Sequence, residues 1–254
     1  MIYLDLRDGL CNRLRAIASL YSYMKDNNIQ KKVKVYWFQN KYLNCPFEEL
    51  LFPIEGFDII NIKCRKIGHK YITPFYIEFK RFCAGETNNF VEKIENVQFK
   101  KKNVYIRTGS QLYANTSYEM IHFRIDNKLM FAENNNIGLH IRRSDNDIAI
   151  KESPIELFKK KIKQEIEIDN TVCFYLATDD DSVKEDLINM YGEHIICQEK
   201  LDLSRESEEG MKRAVVDLLN LANCKKIYGS FWSSFSETAS AIGKNELIQL
   251  RRSE

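Results

Sequence analysis

IGLHIRRSDND, residues 137–147, opens the part of the chain whose reading decides the fold. Residues 137–141 form a short apolar strand, and from there strands and helices alternate to the C-terminus. Ser153, Pro154 and Glu156 mark a helix start, with a hydroxyl N-cap, proline at the first helical position and an acidic residue three past the cap. Residues 172–177, rich in β-branched and aromatic side chains, make a second strand. Ser182 and Glu185 repeat the cap spacing ahead of a helix that runs to Met190. A strand over 194–197, a helix over 211–222, a strand over 225–228, a helix over 234–242 and a last strand over 247–250 complete the run. Strands alternating with helices of roughly ten residues predict a parallel sheet covered on both faces, an α/β fold.

Working outward, residues 131–136, ending in three consecutive asparagines, form the expected boundary. It separates an N-terminal α/β domain over 1–132 from a C-terminal α/β domain over 133–254. In the first half, residues 2–6 read as a strand, followed by a turn at Gly9 and a helix. Leu14, Ile17, Ala18 and Tyr21 stand on that helix at i, i+3, i+4 and i+7. Strands are expected over 33–38 and 58–62. Residues 63–130, rich in Lys, Phe and Tyr, show no clean period, and helices are expected near 72–83 and 90–97.

Composition bounds the function. The 254 residues are 44% hydrophobic and 29% charged, which suits a globular chain with a large core and excludes a disordered one. With 38 Lys and Arg against 36 Asp and Glu, the net charge of +2 argues against a polybasic nucleic-acid binder. No apolar run approaches the ~18 residues of a membrane span, and charges at Asp5, Arg7 and Asp8 interrupt any signal-peptide core. The 7 cysteines are widely spaced without C-x-x-C, so reduced thiols and a cytoplasmic location are expected.

The chemistry-bearing residues gather at strand ends. His140 and Arg142 alternate with Leu139 and Ile141 and point to one face at the carboxyl end of their strand, where open parallel sheets bind ligands. Arg142 and Arg143 offer two guanidinium forks suited to phosphate oxygens; alternatively Asp145 or Asp147 pairs them on the surface. The strand in FYLATDDD, residues 174–181, ends in acids at the same sheet edge. Asp217 stands among Val215, Val216, Leu218 and Leu219, where a carboxylate needs a partner. A purine edge with N–H donors would serve, and so would a cation such as Lys212 or Arg213. GSFWSSFS, residues 229–236, brings Ser230, Ser233 and Ser234 to a helix start. One serine suffices for a cap, whereas several hydroxyls beside free helix N–H groups suit a phosphate.

HIRRSD (140–145), FYLATDDDSV (174–183), VVDLLNLANCKKIYGS (215–230) and SSFSETASAI (233–242) together resemble the glycosyltransferase families of α-1,6-fucosyltransferases, Nod-factor fucosyltransferases and protein O-fucosyltransferases. The resemblance implies two Rossmann-like domains facing a cleft, the GT-B arrangement, with GDP-fucose bound mainly by the second and the acceptor on the first. It implies that Arg142 grips the diphosphate beside His140, that Asp217 reads guanine, and that Ser230, Ser233 and Ser234 lie in the phosphate turn, with Arg143 and Asp179 among the donor contacts. DGLCNRLRAIASLYSYM, residues 8–24, resembles the family's opening glycine loop. Gly9, Asn12 and Arg13 match, while Cys11 replaces the second glycine, a change that strains the loop if the position needs positive φ.

The implied reaction is an inverting transfer of fucose to a glycan hydroxyl, with no cofactor and no metal. The candidate bases are Asp147 and Glu152, with Asp145 as an orienting partner of Arg143. Two other readings stand beside it. Asp179 and Asp181 make a D-x-D, the metal-holding motif of another glycosyltransferase fold, although acids between a strand and a helix also serve as caps. A non-catalytic nucleotide or glycan binder on the same sheet is the other.

Overall fold

The computed structural model describes residues 1–67, 70–77, 91–125, 136–144, 147–199 and 204–252. The chain divides into two compact units, one of residues 1–125 with 204–212 and the other of 126–203 with 213–254. Both are mixed α/β and each is built on a sheet of parallel strands. No helix among the described residues is long and apolar enough to cross a membrane.

In the first unit β1 (Ile2–Leu6), α1 (Leu10–Asp26), β2 (Val33–Gln39) and β3 (Phe57–Lys63) follow in order. A two-stranded antiparallel hairpin of β4 (Arg65–Ile67) and β5 (Lys70–Ile72) comes next, then β6 (Val104–Arg107). The main sheet has the order β3-β2-β1-β6 with every pair parallel. The predicted helical stripe is buried at Leu14, Ile17 and Ala18. Alternation along the strands puts Tyr3, Tyr36, Phe38, Ile60, Ile62 and Tyr105 into one aromatic-rich cluster with Cys64 and Ile77. Asp5, fully buried, accepts two bonds from Arg7, from Nε at 2.8 Å and Nη2 at 2.7 Å, and one from the Tyr105 hydroxyl at 2.5 Å. A buried carboxylate needs that pairing. The helix expected near 72–83 is present at residues 75–77, after β5 ends at Ile72; residues 78–90 lie outside the described residues, and Ile94–Asn96, in the second expected helix, is a single 3-10 turn.

The second unit runs β7 (Asn136–Ile141), α2 (Asp147–Glu152), α3 (Ile155–Ile168), β8 (Cys173–Thr178), α4 (Asp181–Tyr191), β9 (Ile195–Ile196), α5 (Glu208–Ala222), β10 (Lys226–Ser230), α6 (Ser234–Gly243) and β11 (Glu246–Leu250). Contacts group the first turn of α5 with the other unit. The sheet order is β11-β10-β7-β8-β9, all parallel. Ile137, Leu139 and Ile141 join Phe158 and Ile162 of α3 and Phe174 and Leu176 of β8 in one buried cluster. On the opposite face Gly138 admits α5, since a Cβ there would stand 2.9 Å from Leu221 Cδ2. Gly229 admits α6 in the same way, with an added Cβ 2.7 Å from Ser236 Oγ.

Two helix starts differ from expectation. Pro154, not Ser153, is the N-cap of α3, and the short helix α2 precedes it. Asp180, not Ser182, caps α4, as the capping reading of the acidic triplet has it, its Oδ1 accepting from the Ser182 N–H at 2.9 Å and the Val183 N–H at 3.3 Å. A carboxylate outcompetes a hydroxyl at the positive end of the helix dipole.

Candidate functional site

Winding reverses in the second unit between β7 and β10: from β7 the chain moves one way to β8 and β9, then returns to β10 and β11. The carboxyl ends of the strands at such a reversal leave a crevice in which α/β sheets bind ligands. His140 ends its register opposite Gly229 there, with Arg142 and Ser230 just beyond. Ser230, fully buried, accepts the Arg142 backbone N–H on its Oγ at 3.0 Å, which fixes the start of the arginine loop to the end of β10. His140 is buried and stacks on Phe235 of α6, ring centroids 5.0 Å apart.

Arg143 points its fork inward. Its Nη1 donates to the Arg142 carbonyl at 2.8 Å and its Nη2 to the Ser153 carbonyl at 2.7 Å, while its backbone N–H donates to Asp179 Oδ1 at 2.6 Å. Burial lowers its pKa, opposed by Asp179 and Asp180. The Ser144 hydroxyl occupies the other Asp179 oxygen at 2.6 Å. Arg143 braces the loop, and Arg142, partly exposed like its neighbour, follows the end of β7 at the strand-end crevice. Asp179 belongs to the brace and Asp180 to the cap of α4.

The serine turn is anchored from both sides. Ser153 accepts the Phe231 N–H on Oγ at 2.7 Å and donates to the Leu250 carbonyl at 2.5 Å, so the serine expected to cap a helix instead ties three segments together. Ser233 is the N-cap of α6 without a side-chain cap bond, and its buried Oγ meets no hydrogen-bond partner among the described residues. Ser234 is the first residue of the helix. Free N–H groups and an uncommitted hydroxyl at a helix start suit an anion.

Asp217 lies on α5 and accepts on one oxygen only. The Tyr175 hydroxyl donates to Oδ1 at 2.7 Å and Gln198 Nε2 at 2.6 Å, and no bond reaches Oδ2 among the described residues. Lys212, one of the two cations offered as the alternative partner, is paired with Glu49 and Glu208. Burial pushes the Asp217 carboxyl up from 3.8 to about 6 against the opposing pull of Tyr175, Gln198, Lys184 and Arg213. The Tyr175 hydroxyl is itself raised by burial and by Asp217, and stays a donor. Tyr175 and Gln198 were not singled out from the sequence; the one available signal was a tyrosine inside an otherwise apolar strand.

The candidate bases sit on α2, Asp147 exposed at its start and Glu152 partly buried at its end. Five residues apart, they face roughly 140° away from each other. Asp145 lies outside the described residues.

In the first unit the winding reverses between β1 and β6, beside the loop carrying Gly9, Asn12 and Arg13. Gly9 is the N-cap of α1, and Asn12 Oδ1 is buried without a partner among the described residues. Arg13 is fully buried, with Nε donating to the Asp8 carbonyl at 2.5 Å and the guanidinium 4.7 Å above the Trp37 ring. Burial lowers its pKa to about 9 despite Asp8. Cys11 is helical, so the strain expected from the lost glycine is absent.

No protein-family model matches the sequence, and no curated protein matches it. Solved structures do. The fold is similar to that of fucosyltransferase NodZ from Bradyrhizobium, at 15% identity and a TM-score of 0.56 over 94% of this chain and 92% of that one; NodZ α-1,6-fucosyltransferase has also been solved soaked with GDP-fucose. A variant of Arabidopsis thaliana FUT1 in complex with GDP gives 0.59 at 14% over 99% and 71%. POFUT1 in complex with GDP gives 0.55 at 9% over 98% of each chain. These neighbours match the fucosyltransferase resemblance drawn from the motifs.

Proposed function

We propose that this protein is an inverting glycosyltransferase whose second unit binds a GDP-sugar, GDP-fucose, and whose reaction places fucose on a glycan hydroxyl. The observation that carries the reading is the convergence of Arg142, Ser230 and the start of α6 at the strand ends where the sheet reverses. Asp217 supports it independently. A carboxylate with one oxygen held by Tyr175 and Gln198 has the other available to guanine's ring and exocyclic N–H groups. Adenine and uracil do not present that pair of donors.

In the proposed reaction the acceptor oxygen attacks the anomeric carbon as the bond to the β-phosphate oxygen breaks, and GDP leaves with that electron pair. Arg142, the Ser233 and Ser234 hydroxyls and the α6 N–H groups stabilise the charge on the departing diphosphate. The acceptor proton passes to Asp147 or Glu152, one of the two, since they face apart. Charge on the phosphates is met by fixed protein donors and no divalent metal takes part: both Asp179 oxygens are engaged by Arg143 and Ser144. Gly9, Asn12 and Arg13 are tied to the donor by resemblance alone.

The test is calorimetry with GDP, ADP and UDP, followed by measurement of GDP release from GDP-fucose with a glycan panel. GDP preference with acceptor-stimulated release supports the reading. Equal affinity for the three nucleotides rejects the guanine assignment, and binding without release favours a non-catalytic nucleotide binder.

A further inference from the structure

Trp232 sits at the centre of the serine turn with φ of +54° and 63% of its surface exposed. The left-handed region is rare for any residue with a Cβ and anomalous for one this bulky. Such strain persists only where the surroundings enforce it and commonly marks a working site. The surroundings do enforce it. Ser230 is locked to the Arg142 N–H, the Phe231 N–H is bound by Ser153 and the Phe231 ring lies 4.8 Å beneath Arg251. On the other side, the Ser233 carbonyl takes the Glu237 N–H and the Ser236 hydroxyl. Between two immobilised neighbours, the backbone leaves most of a large apolar ring exposed. Burial does not compensate the strain, so core packing does not explain this residue.

Sheet order indicates what meets the ring. Asp217 is held by Tyr175 of β8 and by Gln198 just after β9, on one side of β7, while Trp232 follows β10 on the other side. With guanine at Asp217 and the diphosphate at Arg142 and the start of α6, the group beyond the diphosphate reaches the Trp232 side. We propose that the Trp232 indole is a platform for the donor's sugar, stacking on its C–H face and favouring a 6-deoxyhexose, whose methyl group is apolar, over a hexose with a hydroxymethyl group there. This rests on the GDP-sugar reading above and names a specificity residue for it. Covering roughly 60 Å² of apolar surface corresponds to about tenfold in affinity.

The chain supplies its own probe. It has 2 tryptophans, and the other, Trp37, is fully buried with its indole N–H bound to the Cys45 carbonyl. Trp37 lies under Arg13, so the emission changes on adding GDP, GDP-fucose or GDP-mannose that disappear in Trp232→Phe are the ones that report Trp232. GDP-fucose should shift and dim the emission beyond what GDP does, and bind more tightly than GDP-mannose. Trp232→Ala should weaken GDP-fucose about tenfold, leave GDP unchanged and erase the preference over GDP-mannose, while Trp232→Phe retains most of the GDP-fucose affinity. Trp232→Gly should weaken GDP-fucose equally while raising the urea midpoint, because glycine accepts the left-handed backbone without strain. An unchanged GDP-fucose to GDP ratio in Trp232→Ala overturns the proposal, as does an equal loss for both ligands, which would make the tryptophan a support of the phosphate turn. A wild-type protein that binds none of the three nucleotides overturns the donor reading itself, and this inference with it.

Discussion

Replacing Asp217 by asparagine perturbs one buried charge and keeps the shape of the side chain. Burial raises the carboxyl from 3.8 to about 6, so the folded protein holds this proton more tightly than the unfolded chain does. The stabilisation from that proton is fully present below pH 3.8 and is lost as pH rises through about 6. Complete loss amounts to about 3 kcal/mol, a large share of the stability of a typical domain. Urea unfolding of wild type and Asp217→Asn should therefore diverge with pH, the variant gaining on wild type between pH 4 and 7 with most of the gain complete by pH 6.5. A difference that stays constant over that range refutes the burial argument.

Ligand binding inverts the sign. Guanine N–H donors favour the ionised carboxylate, so GDP-fucose affinity in wild type should fall as pH drops below about 6, by up to about tenfold per unit. GDP-fucose is the better probe because the terminal phosphate of GDP itself titrates near pH 6. Calorimetry in two buffers of different ionisation enthalpy should show proton release on binding at pH 6 in wild type and none in Asp217→Asn. Release that persists unchanged in the variant would assign the proton to another group and remove Asp217 from the base site.

Arg142→Ala should lower transfer by at least about 100-fold with an unchanged urea midpoint, and Arg142→Lys should recover little, because an ammonium does not copy the fork; near wild-type turnover in the alanine variant rejects the diphosphate role. Initial rates in excess EDTA should equal those with added manganese; activity abolished by EDTA and restored by the metal would favour the D-x-D reading of Asp179 and Asp181. Gly229→Ala forces a Cβ to 2.9 Å from Ser236 Cβ and should destabilise the fold by about 1–3 kcal/mol, read as a lower urea midpoint; an unchanged midpoint would mean that α6 yields freely.

The second unit was legible because its strands are continuous apolar runs bounded by capping residues, the signature of parallel strands buried on both faces. The first was half legible. β6 escaped notice because Val104–Arg107 is four residues behind a lysine-rich stretch, yet it lies beside β1 in the sheet. Asp5 and Arg7 look like surface charges in a sequence. Only pairing with Tyr105, 100 residues away, shows why a carboxylate is tolerated at zero exposure. At the candidate site, Asp217 was marked by its apolar neighbours, but its partners are 42 residues away at Tyr175 and 19 away at Gln198, beyond any local pattern.

The arginine pair shows the same division at closer range. Arg142 and Arg143 carry one chemistry at adjacent positions, and spacing alone does not tell which of them meets phosphate and which is paired within the protein. Just past the end of β7 the chain leaves the sheet, and its first carbonyls lack strand partners. Arg143 supplies a donor to one of them, at Arg142, and a second to the Ser153 carbonyl beyond α2, and its backbone N–H is taken by Asp179. That bracing holds the main chain of Arg142 from one side while Ser230 holds it from the other. A guanidinium grips a diphosphate usefully only if its own backbone does not move as charge develops, since preorganisation is what makes such a contact stronger in the transition state than in the ground state. Arg143→Ala should accordingly reduce the transfer rate more than it weakens GDP binding, whereas Arg142→Ala reduces both. Equal losses from Arg143→Ala would mean that the second arginine meets the nucleotide after all.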